Sequence, residues 1–292
     1  MTSSSWSERV VIHDGVRLLC RDWGGHGTDV LLLHGLAGHS GEWDTTARLL
    51  RDSGHRVVAF DQRGHGGSER HPGDVSRAAY VSDVLAVVAE LGLDRPVLVG
   101  QSLGGSTALL TAAARPGLPR ALVLVEAGPG GLGPGGTGPG LQERIGGWLR
   151  GWPVPFPSRE AAAAYLGDGK GPVGDGWAAG LEERPDGLWP RFDPEVMVRS
   201  LDENATRSFW DEWAAVTCPA LAVLGHGEQG GIIGGEEYAE MARVQPSLHG
   251  VSLPGTGHDL HLERPGLLHR LVVDFLRDLS SRPSCLGAHS SS

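Results

Sequence analysis

The chain has 292 residues, enough for one large domain or two small ones, and 40% of them are apolar. With 46 glycines, 19 prolines and 21% charged residues, it reads as a loop-rich globular protein, not a helical bundle or a disordered chain. The formal net charge is −10, Lys170 is the only lysine, and no basic cluster is present, so a nucleic-acid partner is not expected.

Cys20, Cys218 and Cys285 are widely spaced and form no CxxC pair, which excludes a disulfide framework and a zinc site of that kind. Free thiols fit a reducing cytoplasm. Residues 1–10 are polar and lack the regions of a signal peptide, and no apolar run has the length of a membrane span. A soluble cytoplasmic protein is expected.

Residues 10–12 and 16–20 are joined by His13-Asp14-Gly15, and Asp-Gly is a hairpin signal, so the sheet should begin with an antiparallel hairpin. Continuously apolar runs follow at 30–33, 57–60, 96–99, 121–125 and 221–224. They end at His34, Asp61, Gly100, Glu126 and Gly225. Such runs suit central strands of a parallel sheet, buried on both faces. Residues 75–91 place Tyr80, Val84, Val87, Val88 and Leu91 at helical spacing ahead of Gly92. Strands alternating with helices predict an α/β fold with a mostly parallel, doubly wound sheet.

The alternation breaks over 128–216. This stretch opens with a Gly/Pro run at 128–140 and holds six of the nine tryptophans. A mainly helical cap lying over the sheet is expected there, since a structureless loop of that length is uncommon. The core would then comprise 8–127 and 217–279, with Ser-rich tails at 1–7 and 280–292 expected to be flexible. The tryptophans of the insertion could form its own core or line a pocket, because ligand sites are usually apolar and aromatic.

Gly100-Gln101-Ser102-Leu103-Gly104 fits G-x-S-x-G, a pattern loose enough that chance supplies about half a match in a chain this glycine-rich. Its context carries the reading. An apolar strand leads in and the helix-compatible run 106–114 leads out. A serine on so tight a turn needs small neighbours. At a helix N-terminus its hydroxyl meets a dipole that favours developing negative charge.

With these residues in view, the chain resembles the α/β-hydrolase family from about 10 to 279. Four segments carry the likeness: 34–38 (HGLAG), 61–66 (DQRGHG), the turn at 100–105, and 255–259 (GTGHD). The resemblance implies a hydrolase core, a cap inserted after the sixth strand, and a Ser–acid–His triad in that chain order. A serine at the elbow departs from dehalogenase-like and epoxide-hydrolase-like members, which use aspartate there.

A serine needs a base to become nucleophilic. His258 follows the strand candidate 251–253, where the family places its base; His261 is the nearest rival. The spacing of His258 and His261 could be misread as a metal pair, but no second ligand cluster accompanies it, and neither metal nor cofactor is expected. Most relatives place the acid after the strand that here spans 221–224. That segment reads Gly225-His226-Gly227-Glu228, with glycine where aspartate is expected. Some lactonase- and dehalogenase-like members use the end of the sixth strand instead, where this chain has Glu126. Glu126 is the first candidate for the acid and Glu228 the alternative.

The resemblance assigns the oxyanion hole to the backbone amides of Leu36 and Leu103. Candidate pocket residues are Trp43, Trp148, Trp152, Trp177 and Trp210. Segment 61–66 is read as structural. The reading is a serine hydrolase for an ester or lactone of a small, apolar molecule. Thioester, amide or carbon–carbon hydrolysis, and a receptor or non-hydrolytic biosynthetic role, stay open. Oligomeric state is not legible.

Overall fold

The structure is a computed structural model describing residues 6–130, 140–168, 171–226 and 231–281. In the first part of the chain, strands β1 (Ser7–His13), β2 (Val16–Gly24) and β3 (Asp29–Leu33) precede helix α1 (Asp44–Asp52). Then come β4 (Arg56–Phe60), α2 (Arg77–Glu90), β5 (Val97–Gln101), α3 (Leu103–Ala114) and β6 (Ala121–Val125). Six helices follow: α4 (Leu141–Arg150), α5 (Arg159–Gly167), α6 (Gly171–Ala179), α7 (Pro194–Ser200), α8 (Asp202–Thr206) and α9 (Trp210–Ala215). A short hairpin, β7 (Glu182–Arg184) and β8 (Gly187–Trp189), sits among them. The chain then resumes with β9 (Ala220–Gly225), α10 (Gly235–Val244), β10 (His249–Leu253), α11 (Leu260–Glu263) and α12 (Pro265–Ser281).

Eight strands form one sheet in the order β1-β2-β4-β3-β5-β6-β9-β10. β1 pairs with β2 and β2 with β4 antiparallel; every later pair is parallel. This is the α/β-hydrolase architecture that the sequence predicts. The hairpin turns where expected, with Asp14 and Gly15 both at positive φ (48° and 76°).

The apolar runs are continuous because both faces of the sheet are covered. In β3, Leu31 and Leu33 pack on one side and Val30 and Leu32 on the other. In β6, Leu122 and Leu124 alternate with Ala121, Val123 and Val125 in the same way. One layer uses α2, α3 and α9 (Val84, Ala108, Trp213). The opposite layer uses α1 and α12 (Leu50, Leu268, Val272). Each Val or Leu side chain fully buried here contributes about 1.5–3 kcal/mol of transfer free energy. The helix read at 75–91 is α2; Ser76 caps it by accepting from the Ala79 N–H at 3.2 Å.

α4–α9 and the small hairpin lie between β6 and β9; α4–α7 and the hairpin have an apolar core of their own built on Leu149, Trp152, Phe156, Phe192 and Met197, whereas α9 packs on the sheet. The Gly/Pro run falls partly at 131–139, outside the described residues. Of the expected tails, 1–5 and 282–292 lie outside them, whereas Ser7 opens β1 and Ser280 and Ser281 close α12.

Segment 61–66 has a structural part. Asp61 accepts the N–H groups of Ser40 (2.6 Å) and Gly67 (2.7 Å). Arg63 makes a two-pronged bond to Asp83, both contacts 2.6 Å, and a further one to the carbonyl of Asp74. Breaking a buried pair of this kind strands a charge, typically at about 3–5 kcal/mol.

Candidate active site

Ser102 stands between β5 and α3 at φ 50° and ψ −116°. A non-glycine residue in such a conformation costs on the order of 1–3 kcal/mol, and persists only where its surroundings impose it. Here its N–H is held by Val125 O (3.0 Å), and its carbonyl accepts from the Ser106 N–H (3.0 Å). The flanking glycines have a steric cause. A β-carbon on Gly104 would lie 2.4 Å from Leu33 O, and one on Gly100 2.3 Å from Gly104 O. α3 can therefore approach β5 and the end of β3 this closely only without those side chains.

Beside Ser102, the segment 35–38 turns tightly: Gly38 N–H donates to Gly35 O (3.2 Å) and Ala37 adopts φ 59°. His34 braces this turn. Its Nε2 accepts from the Gln62 N–H (3.0 Å), and its Nδ1 donates to Gly35 O (2.7 Å). Burial pushes its pKa down, so His34 is a neutral strut. Leu36 and Leu103 both border the cavity that contains Ser102. The Leu103 N–H is in the first turn of α3, where amides have no intrahelical acceptor.

Glu126 directly follows β6, is fully buried, and adopts φ 49°. Its Oε1 accepts from the Gly225 N–H (2.6 Å) and its Oε2 from the Ile232 N–H (2.5 Å). Oε2 also lies 3.6 Å from Nδ1 of His258, longer than a hydrogen bond. The structure thus brings Ser102, His258 and Glu126 to one cavity, with Glu126 behind the imidazole. Glu228 lies outside the described residues. His261, the rival base, is 1% exposed and bonded to Glu42 Oε2 (3.2 Å) in the core, away from Ser102.

In this structure Nε2 of His258 rests 3.2 Å from the side-chain amide of Gln101, and that amide also donates to the His258 carbonyl at 3.0 Å. Among the described residues, no cluster of three or more His, Cys, Asp or Glu side chains is placed to hold a metal ion.

The cavity has a volume of about 470 Å³ and a mainly apolar lining, with Leu36, Ile145, Trp148, Trp177, Leu201 and Ile233 forming its walls. Of the five tryptophans singled out, Trp148 and Trp177 line it and three do not. Trp43 is fully buried in the sheet core, its ring 5.0 Å from that of His261, because the 3-10 turn Ser40–Trp43 directs it under α1. Trp152 stands behind the wall, edge-on to Trp148 (5.4 Å) and Trp177 (6.0 Å), in the core of the inserted helices. Trp210 packs on the sheet layer with Trp213.

Sequence reasoning missed the polar lining: Gln101, Arg144, Asn204, Glu237 and Asp259. Gln101 and Asp259 adjoin motif residues and could have been flagged by adjacency; Arg144, Asn204 and Glu237 carry no local signal. Glu237 accepts from the Gly130 N–H (2.9 Å), and burial, aided by the charge of Glu126, raises its pKa.

The sequence profile of the alpha/beta hydrolase family matches residues 30–271. An sn-1-specific diacylglycerol lipase of Mus musculus is 27% identical over 258 residues, spanning 85% of this chain and 80% of its own. A 2-(acetamidomethylene)succinate hydrolase of Mesorhizobium japonicum is 26% identical over 261 residues, 86% of this chain and 89% of its own. Among solved structures, E-2-(acetamidomethylene)succinate hydrolase superposes with a TM-score of 0.82 at 23% identity, covering 93% of this chain and 99% of that one. No helix among the described residues is long and apolar enough to cross a membrane.

Proposed function

The chain belongs to the alpha/beta hydrolase family, and from that premise we propose that it is a serine hydrolase cleaving a carboxylic ester or lactone of a small, largely apolar molecule through an acyl-enzyme. The observation that carries this is the strained Ser102 at the start of α3, sharing an apolar cavity with His258.

In the proposed mechanism the Ser102 oxygen attacks the carbonyl carbon while its proton passes to Nε2 of His258. Nε2 must exchange its Gln101 contact for the serine hydroxyl. The carbonyl oxygen becomes an oxyanion facing the Leu36 and Leu103 amides. As the tetrahedral intermediate collapses, His258 returns the proton to the leaving alcohol, or to the released hydroxyl of a lactone. Water, deprotonated by His258, then frees the acid. Glu126 steadies the imidazolium and orients the ring. The steps require no metal or cofactor. The segment 128–216 serves as a cap, and Trp148 and Trp177 face the apolar part of the substrate.

Intact mass after treatment with a fluorophosphonate tests the reading. One adduct on the wild type and none on Ser102→Ala is expected. No adduct on folded wild type would overturn it in favour of a ligand-binding protein. A panel of esters and lactones then tests the substrate class, and preference for short polar esters would overturn the apolar assignment. One relative is a 2-(acetamidomethylene)succinate hydrolase, so amides belong in the same panel.

A further inference from the structure

Gln101 occupies the variable position before the serine of G-x-S-x-G, yet it is 3% exposed and reaches across the site. Its side-chain oxygen lies over Gly35, where a β-carbon would approach to 2.2 Å. Its other terminal atom touches two groups of His258. One is the backbone carbonyl at 3.0 Å; the other is Nε2 at 3.2 Å.

Chemistry identifies that terminal atom. A carbonyl oxygen only accepts hydrogen bonds, so its partner is the –NH2 end of the amide. An –NH2 group only donates, so the Nε2 it faces carries a lone pair and no proton. A neutral imidazole without a proton on Nε2 has one on Nδ1, the nitrogen turned toward Glu126. At 3.6 Å, Glu126 is too distant to enforce this tautomer by itself in the free protein.

We propose that Gln101 is a positioning residue: its amide holds His258 neutral with the proton on Nδ1, the form able to take a proton from Ser102. The inference rests on the serine-hydrolase reading for its consequence in catalysis, although the tautomer itself does not depend on turnover.

The surroundings give this contact work to do. Glu126 from the end of β6, Glu237 from α10 and the adjacent Asp259 all border the cavity that His258 faces. Glu263 on α11 holds the loop before it by accepting from the Gly257 N–H (3.0 Å). The nearby His261 is kept neutral by burial, so among the described lining residues one cation stands against these carboxylates, Arg144 of α4. Carboxylates near an imidazole favour its protonated form. A donor aimed at Nε2 opposes that form, because imidazolium would present N–H to N–H. Gln101 is therefore a counterweight that keeps the base available at lower pH.

The test compares wild type with Gln101→Met, which keeps the length but removes the donor, and Gln101→Glu, which offers an acceptor to a protonated Nε2. Two readouts are taken: the acidic limb of the kcat/KM profile, and the nitrogen chemical shifts of His258 in protein labelled with ¹⁵N-histidine. Expected for Gln101→Met is a limb moved up by about one pH unit, hence about tenfold less activity below it. Its shifts should also show loss of the single Nδ1–H tautomer. Gln101→Glu should move the limb further in the same direction. If Gln101→Met does not fold, Gln101→Glu alone decides.

A limb and shifts unchanged in a folded variant would overturn the proposal and reduce Gln101 to packing. The hydrolase reading fails separately, by absence of a fluorophosphonate adduct on Ser102. In that case the shifts still report whether Gln101 sets the tautomer.

Discussion

Among the described residues two glutamate–histidine pairs lie near each other, one at the cavity of Ser102 and one in the core. Glu126 faces His258 at the cavity; Glu42 faces His261 in the core. Both carboxylates are buried, so depth does not separate them. Their hydrogen bonds do. Glu126 receives two backbone N–H groups, one on each oxygen. Glu42 has one oxygen on His261 and the other without a partner. Burial pushes the Glu42 carboxyl up to about 7 and the His261 imidazole down to about 4. Between about pH 4 and 7, the inner pair is thus neutral acid against neutral base. Proximity of carboxylate and imidazole consequently does not separate the cavity pair from the core pair. Solvated access and donors that fix the carboxylate do.

Three substitutions sharpen or break this contrast. The largest effect is expected from His258→Ala: on the proposed mechanism, loss of kcat on the order of 10⁶ by comparison with known serine triads, with little change in stability because the ring is part-exposed. Steady-state kinetics and thermal melts check both halves. Glu126→Gln should lower kcat by roughly 10³–10⁴, since an –NH2 group would meet the N–H of Gly225 or Ile232 and turn the imidazole. A kcat near wild type would move the acid elsewhere, Glu228 being the alternative.

Glu42→Gln should leave kcat unchanged and alter stability alone. A carboxyl whose folded pKa is raised stabilises fully below its unfolded value near 4.5, and that contribution is lost as pH rises through about 7. The amide cannot ionise, so at pH 8 the variant should be more stable by on the order of 3 kcal/mol. His261, with its lowered pKa, works oppositely: its contribution grows as pH rises from about 4 to 6.5. With Glu42 replaced, that rise should emerge in melts measured across pH 4–7. A variant less stable than wild type at pH 8 would contradict the neutral pairing.

Legibility in the sequence followed the range of the forces involved. The central parallel strands were readable because two-sided burial makes their interiors continuously apolar. The hairpin was readable because Asp14 and Gly15 tolerate positive φ. The serine turn was readable because its glycines answer backbone contacts within five residues or with one neighbouring strand. The pocket tryptophans were not. Trp148 and Trp152 differ by four positions on one helical turn and the bend after it, yet one faces the cavity and the other the interior of the insertion. That depends on where α6 packs. Likewise, nothing near Glu126 announces that an amide 106 residues later will bind it.

That amide has a consequence for which changes the chain tolerates. Around β9 and the turn after it, the carboxylate draws on main chain and not on side chains. Saturation mutagenesis should show position 232 open to most residues but closed to proline, which lacks the N–H. Position 225 should be closed for a second reason, since any β-carbon there would sit 2.5 Å from Gly257 O. Glu126 can thus be held at the end of β6 while one of the two residues that secure it, at 232, drifts in identity and the other, at 225, stays glycine, so long as the backbone keeps its course.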